Sequence, residues 1–490
     1  MSSSGLSGSA ARGGAVTMLA QAARIIIQML QVFILARLIA PESYGLVAMA
    51  TAFTGIAGIL RDFGLSTAAL RRVDLSAQQR TNLFWLNTAS GVVLAGIIFA
   101  LSWPIAAFYG ETELVTLVQW VSLAYVMSGA TTQFRVAISR DLRFRALAMC
   151  DVLPSIVALL LAVPVALAGY SLAALVVLQL ALPATDLLCS AILARWRPGL
   201  PRRAPGMRDL LSFGVSFAFT QLLSYATRNV DTVIIGRLWG ASPLGLYNRA
   251  FQLSVVPINQ INAPMTKVAL PVLARVVDEP ERLMRGLRSA QLVACYLTAT
   301  GLCIAAGLSE PLIEVLLGPG WSGAAPLFAI LALSSVFRSI QQIANWLQVA
   351  KGSARSLLMS NLIGQPVIIL LIALGIPWGV VGVAAGSVIG YAAFWVFSML
   401  WAGKHTGVPT VPLMARATRI VGCVGVPSGL AAYATCWLSP WEAFPTLLLG
   451  AAASCVALAA SYLSSRRTRV ELKALASLVR KSLGRRGKPL

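Results

Sequence analysis

Charge is the scarcest commodity in this 490-residue chain. Asp, Glu, Lys and Arg together make up 11% of it, where a soluble globular chain carries about one quarter. That shortage excludes an ordinary water-soluble fold. Acids are rarer still, 17 against 39 lysines and arginines, which leaves few carboxylates for acid–base chemistry. There is one histidine, His405, so His-based metal or triad chemistry has no second partner. His405 itself reads as a solvated loop residue. The seven cysteines include no CxxC pair and fall mostly inside apolar stretches; they read as small buried apolar residues rather than a disulfide framework or metal site. Long polar segments are missing too. The longest interior stretch outside the apolar runs is about 15 residues, too short for an independent domain. A polymerase or glycosyltransferase built on a soluble domain with clustered acids is thereby disfavoured. The expectation is therefore not an enzyme, with no catalytic residues, no metal and no cofactor. No cleavable signal is evident at the start.

What remains is apolar. Hydrophobic residues are 58% of the chain, and runs of about 20 residues recur from end to end, each long enough to cross a bilayer as a helix. Fourteen are expected, near 14–38, 45–70, 83–108, 114–134, 147–169, 171–194, 210–236, 244–272, 288–308, 324–349, 356–375, 379–402, 411–437 and 443–463. The runs lack the alternation of a membrane barrel. The predicted fold class is all-α integral membrane.

The chain also repeats itself. Arg37-Leu38 and Gly45-Leu46 recur as Arg237-Leu238 and Gly245-Leu246, an offset of 200. The Leu-Ser-x-Pro of 101–104 recurs at 308–311, and Arg145, Leu147 and Met149 recur as Arg355, Leu357 and Met359. Two related apolar halves are a transporter layout with a site between them. Six spans per half return the chain to its starting side, so the halves are expected to be parallel. The predicted organisation is an N-terminal six-helix lobe over 1–200 and a C-terminal six-helix lobe over 207–405. Two extra helices over 410–464 and a basic tail over 465–490 follow. Part of the tail, Val470 to Leu483, reads either as a surface helix or as a frayed charged end. Gly382, Gly386 and Gly390, four apart, read as close helix packing.

The net charge of +22 first suggests nucleic acid, but no recognition module accompanies it. Most lysines and arginines fall in loops or tails on one side. The other side receives Arg37 and Arg237 with Glu42, Glu111, Glu113, Glu310, Glu314 and Glu442. That is the positive-inside pattern, placing both termini in the cytoplasm and the basic residues against anionic lipid heads.

Ten ionisable residues fall inside predicted spans: Arg24, Arg61, Asp62, Asp151, Asp186, Arg228, Asp231, Arg249, Lys267 and Arg338. Each costs about 3 kcal/mol at the bilayer centre and should face protein or water. Asp151, Asp186 and Lys267 read as snorkelling or as misplaced by a boundary. Arg228 and Asp231, at i and i+3, are either an internal ion pair or part of a coupling site, and Asp62 and Asp231 are candidates for a coupling cation or proton. Polar residues share faces: Gln21, Arg24, Gln28 and Gln31 in the first span; Arg249, Gln252, Asn259 and Thr266 in the eighth; Arg338, Gln341, Gln342, Asn345 and Gln348 in the tenth. The unpaired centre is cationic. Guanidinium groups grip phosphate in a bidentate fork and stay charged. The expected site is thus a cationic cavity of Arg24, Arg61, Arg249, Arg338, Gln28 and Gln252, taking a phosphate or pyrophosphate head group.

The segments Arg37-Leu38-Ile39-Ala40-Pro41-Glu42-Ser43-Tyr44-Gly45-Leu46, Arg228-Asn229-Val230-Asp231-Thr232-Val233-Ile234-Ile235-Gly236-Arg237-Leu238 and Leu244-Gly245-Leu246-Tyr247-Asn248-Arg249-Ala250 resemble the O-antigen and exopolysaccharide flippases of the multidrug/oligosaccharidyl-lipid/polysaccharide superfamily, particularly the colanic-acid type. The resemblance implies about fourteen spans, alternating access, and export of an undecaprenyl-pyrophosphate-linked oligosaccharide from the cytoplasmic to the periplasmic leaflet of the bacterial inner membrane. It implies work alongside polysaccharide polymerase and glycosyltransferases of one pathway, and no nucleic acid. In related lipid-linked peptidoglycan-precursor flippases the first, second and eighth helices carry cavity arginines; Arg24, Arg61 and Arg249 correspond by helix and depth. The rival expectation is a multidrug antiporter of the same fold exporting organic cations, which calls for an acidic cavity.

Overall fold

The computed structural model describes residues 3–62, 76–202, 225, 229–439 and 441–484. Side-chain arrangements are described for fewer of these, and those of Arg61, Asp62 and Lys267 are not among them. The described residues form helices and no strand. Among the described residues eleven helices are long and apolar enough to cross a membrane, and they coincide with eleven of the fourteen predicted runs. Runs 45–70 and 210–236 extend into residues outside the described set. Run 244–272 lies within a 35-residue helix, Ala241–Arg275, studded with polar side chains. The chain divides into two compact units, Met1–Gly245 and Leu246–Leu490.

The first unit holds α1 (Ser3–Leu38), α2 (Pro41–Asp62), α3 (Ala77–Tyr109), α4 (Glu113–Arg140), α5 (Phe144–Leu167), α6 (Ser171–Leu193) and α7 (Val230–Trp239). The Ser76 side chain accepts the Gln79 amide and the Gln79 side chain accepts the Ser76 amide, a capping box that fixes where α3 starts. Antiparallel neighbours α3 and α4, and α5 and α6, make the main packing, with α1 against α5. The predicted lobe boundary, between 200 and 207, runs into residues outside the described set; α7 packs on α2 and α3.

The repeated element has a structural reason. Two-residue and one-residue joints separate α1 from α2 and α7 from the helix at Ala241, so Arg37 and Arg237 sit at matching helix ends. The two glycines of the repeat lie against each other's backbone. A Cβ on Gly45 would fall 1.7 Å from the Ala241 carbonyl oxygen, and one on Gly245 would fall 1.9 Å from that of Pro41. Only glycine permits this approach, reciprocally in both copies.

The second unit continues α8 (Ala241–Arg275) and adds α9 (Pro280–Leu292), which passes through a π-helical stretch, Val293–Ala299, into α10 (Thr300–Gly307). Then come α11 (Ser309–Leu317), α12 (Ala324–Ala350), α13 (Ala354–Leu374) and α14 (Gly379–Thr406). A second π-helical stretch, Val421–Gly425, joins α15 (Val411–Ile420) to α16 (Val426–Leu438); α17 (Ala443–Ser464) and α18 (Arg466–Gly484) end the described chain. Gly382 and Gly386 press on backbone oxygens of Gly375 and Leu371, and Gly390 on Ile368, so the glycine run packs α14 on α13. His405 belongs to the last turn of α14, stacked on Trp401, rather than to a loop. The tail is a helix as well, pinned by a buried carboxylate. Glu471 accepts from Arg416 Nε at 2.8 Å, Arg419 Nη2 at 2.6 Å and Tyr296 Oη at 2.7 Å. Burial alone would raise this carboxyl, but the hydrogen bonds from Tyr296 and Arg416 and the two guanidinium charges hold it below the ordinary value.

Candidate functional site

In the second unit, α8 supplies Arg249. Its Nη1 donates to Gln252 Oε1 at 2.8 Å, and Gln252 Nε2 donates to Asn248 Oδ1 at 2.8 Å. The i, i+3 spacing that put Arg249 and Gln252 on one stripe thus becomes a hydrogen bond, which Asn248, four residues before Gln252, extends.

Arg338 of α12 is held differently. Its Cζ lies 5.2 Å from the Phe251 ring centre on α8 and 4.7 Å from the Tyr391 ring centre on α14. Among the described residues it pairs with no carboxylate. Ring faces stabilise a cation by about 0.5–2 kcal/mol without consuming its N–H groups, so Arg338 keeps both its charge and its donor fork. The frame around it is fixed: Ser335 Oγ donates to Ser254 Oγ at 3.2 Å and Trp346 Nε1 donates to Thr266 Oγ1 at 3.0 Å, tying α12 to α8 at two levels. Beyond Arg338 the stripe turns inward on itself. Gln341 donates to Asn345, Asn345 donates to Gln342, and Gln348 is fully buried, accepting from Ser356 at 3.1 Å. Gln348 is therefore a packing residue.

In the first unit, Arg24 is exposed on α1 and Gln28 half-buried one turn on. Among the described residues Arg24 pairs with no carboxylate. Arg61 and Asp62 end α2, with side chains outside the described set, and Arg228 lies outside it altogether. Asp231 is 7% exposed in the first turn of α7 and accepts the Thr232 amide at 2.8 Å, where a negative charge suits the helix dipole.

Sequence reading missed a charge cluster inside the spans. Arg135 of α4 meets Asp151 of α5 at 2.6 Å and Asp186 of α6 at 3.1 Å, and Ser190 Oγ donates to Asp186 Oδ1 at 3.0 Å. The run expected to end at 134 continues as helix to Arg140, which moves Arg135 from a loop into a span. Asp151 and Asp186 are thus neither snorkelling nor misplaced; they are partners of one arginine. Arg135 and Asp151 also line a cavity of about 360 Å³ with Thr17, Ala20 and Thr132. Phe251 and Tyr391 were equally invisible as a charge-holding pair, because aromatics in a span read as apolar packing. The cysteines are free; Cys150 and Cys189 lie with sulfurs 3.6 Å apart in the apolar core beneath the Arg135 cluster.

Comparisons with known proteins bear on the family and the fold. A family model described as polysaccharide biosynthesis protein matches residues 34–326. The teichuronic acid biosynthesis protein TuaB of Bacillus subtilis (strain 168) is 28% identical over 303 residues, 61% of this chain and 63% of that protein. The lipopolysaccharide biosynthesis protein WzxC of Escherichia coli (strain K12) is 26% identical over 326 residues, 66% of each. The chain thus spans just under two thirds of the length of these relatives. A solved structure of the lipid II flippase MurJ, in an inward closed conformation, superposes with a TM-score of 0.69 at 12% identity, covering 91% of this chain and 99% of that one. That likeness establishes the fold.

Proposed function

Because the chain belongs to the polysaccharide biosynthesis protein family, we propose that it is a flippase moving a polyprenyl-pyrophosphate-linked oligosaccharide between membrane leaflets for surface polysaccharide assembly. The direction is from the cytoplasmic to the periplasmic leaflet of the bacterial inner membrane, with both termini cytoplasmic and two six-helix lobes alternating access. The observation that carries this reading is Arg338, a cation on a membrane helix held by two aromatic faces and by no acid among the described residues.

The physics favours an anion. A bare pyrophosphate cannot cross hydrocarbon, because burying an unpaired ion costs far more than weak contacts return. Guanidinium groups, which grip phosphate in a bidentate fork, receive it while the polyprenyl chain stays in lipid. Arg338, Arg249 with Gln252, Arg24 with Gln28, and Arg61 are the proposed binding groups. A negative interior adds about 2.3 kcal/mol per outward-moving negative charge per 100 mV. Asp62 and Asp231 are the proposed coupling residues, with Arg228 as an alternative ion-pair partner of Asp231. An organic-cation antiporter instead calls for unpaired acids in the spans; Asp151 and Asp186 each pair with Arg135, the three groups together carrying one excess negative charge when both carboxyls are ionised.

Proteoliposomes carrying a polyprenyl-pyrophosphate glycan test this. Exposure of the glycan to an impermeant lectin should require the protein, and the combined Arg24→Ala, Arg249→Ala and Arg338→Ala variant should abolish it. Undiminished exposure with that variant would overturn the cationic site; ethidium export by the wild-type protein would favour the antiporter.

A further inference from the structure

We infer a binding site for an anionic phospholipid at one end of the second unit, in a cavity of about 520 Å³. It lies where α9 begins, α12 ends and the α14–α15 joint turns. Arg285 and Arg288 from α9 and Lys351 just past α12 line it, against a single acid, Glu281. Its walls are apolar: Met284, Val408, Pro409 and Pro412. Cations over an apolar wall at the ends of membrane helices match a molecule with a phosphate head and a hydrocarbon body. Basic pockets of this kind recognise lipid phosphates.

The pocket is framed before any ligand arrives. Arg285 and Arg288 share the exposed face of α9, one turn apart, while Leu283 and Leu287 of the same helix are buried. Gln291 Nε2 donates to the Leu413 carbonyl at 2.6 Å, binding α9 to α15. Arg416 Nη1 donates to the Arg288 carbonyl at 3.4 Å, and Arg416 is itself fixed by Glu471. Lys351 Nζ donates to the Val277 carbonyl at 2.9 Å, which holds the ammonium in place and leaves its other protons available. Thr410 Oγ1 donates to the Met399 carbonyl at 2.8 Å, steadying the joint. The Lys351 ammonium and the backbone at Arg288 are thus held in place, and among the described residues no ion pair joins Arg285, Arg288 or Lys351 to a carboxylate.

The occupant is a phosphodiester lipid of the surrounding leaflet, of the phosphatidylglycerol class. The positive-inside pattern puts this end at the cytoplasmic face, where anionic lipids attract basic groups. The site is independent of Arg249 and Arg338, so it stands or falls separately from the flippase reading.

Native mass spectrometry of the full-length protein, delipidated and titrated with defined lipids, is the test. Phosphatidylglycerol should bind more tightly than phosphatidylethanolamine, and glycerol 3-phosphate should not compete. Arg285→Gln with Arg288→Gln should lose on the order of 25-fold in affinity, about fivefold per cation. Arg285→Lys with Arg288→Lys should retain most of it. Arg282→Gln, whose side chain is 64% exposed and pairs with Glu279, should change nothing. Equal binding of the two lipids, or an unchanged affinity in the double glutamine variant, overturns the proposal. So does preferential capture of polyprenyl pyrophosphate, or full competition by glycerol 3-phosphate. If the double variant fails to fold, the wild-type lipid comparison still decides.

Discussion

Arg135 and Arg338 are both arginines in membrane-length helices, and the protein treats them in opposite ways. Arg135 meets two carboxylates, Asp151 and Asp186, contributed by two other helices. Arg338 lies on two aromatic rings, with no acid partner among the described residues. A cation already matched by acids has little left to offer a ligand and much to lose if the match is broken. A cation held by ring faces keeps its charge and donors for something that arrives. The same residue type is therefore locked among acids in one unit and, on the proposed reading, poised for binding in the other.

The largest expected effect comes from breaking the paired site. Arg135→Ala strands two carboxylates. Breaking a fully buried pair costs about 3–5 kcal/mol, and solvent reaching these side chains, a third exposed or less, reduces that to roughly 2 kcal/mol. Fluorescence-detected size exclusion should show loss of the monodisperse protein. Neutralising all three groups together, as Arg135→Gln with Asp151→Asn and Asp186→Asn, should restore most of it. If Arg135→Ala elutes normally, the cluster is not structural.

The next effect sharpens the other side. Tyr391→Leu removes one of the faces under Arg338 and should lower transfer several-fold without lowering expression, whereas Tyr391→Phe keeps the face and should behave as wild type. Equal loss in both would move the role to the phenol oxygen.

The smallest effect concerns the tail. Glu471 has a folded-state value below its ordinary one, so its stabilisation is present above the unfolded value and is lost as pH falls through the folded one. Thermal stability should hold from neutral pH down to the ordinary carboxylate range and decline only below it. Glu471→Gln should remove that acid step and lower the melting temperature at neutral pH by a few degrees. An unaltered acid limb in the variant would assign the decline to other carboxylates.

Much of this was legible from the chain. Apolar runs of span length and the absence of alternation gave the all-α membrane fold. The reciprocal close approach at Gly45 and Gly245 gives a steric reason for glycine at both repeated positions. What the chain hid was lateral. Arg135 is separated from Asp151 and Asp186 by loops and helix turns, and a helix boundary misplaced by a few residues put it on the wrong side of the interface. Phe251 and Tyr391 carry no polar signature, so no spacing rule marks them as a cradle. Glu471 is an acid in a basic tail that nothing local marks out; its role depends on Tyr296, 175 residues away in sequence.

The most direct test compares the two arginines in one assay, lectin exposure of a polyprenyl-pyrophosphate glycan in proteoliposomes. Arg338→Ala should fold normally and lose at least about tenfold in rate, the scale of one charge-assisted contact, while the neutralised Arg135, Asp151 and Asp186 variant should keep most of the wild-type rate. Full transfer by Arg338→Ala together with loss in the well-folded neutralised variant would contradict the assignment, placing the working charge in the first unit's cluster.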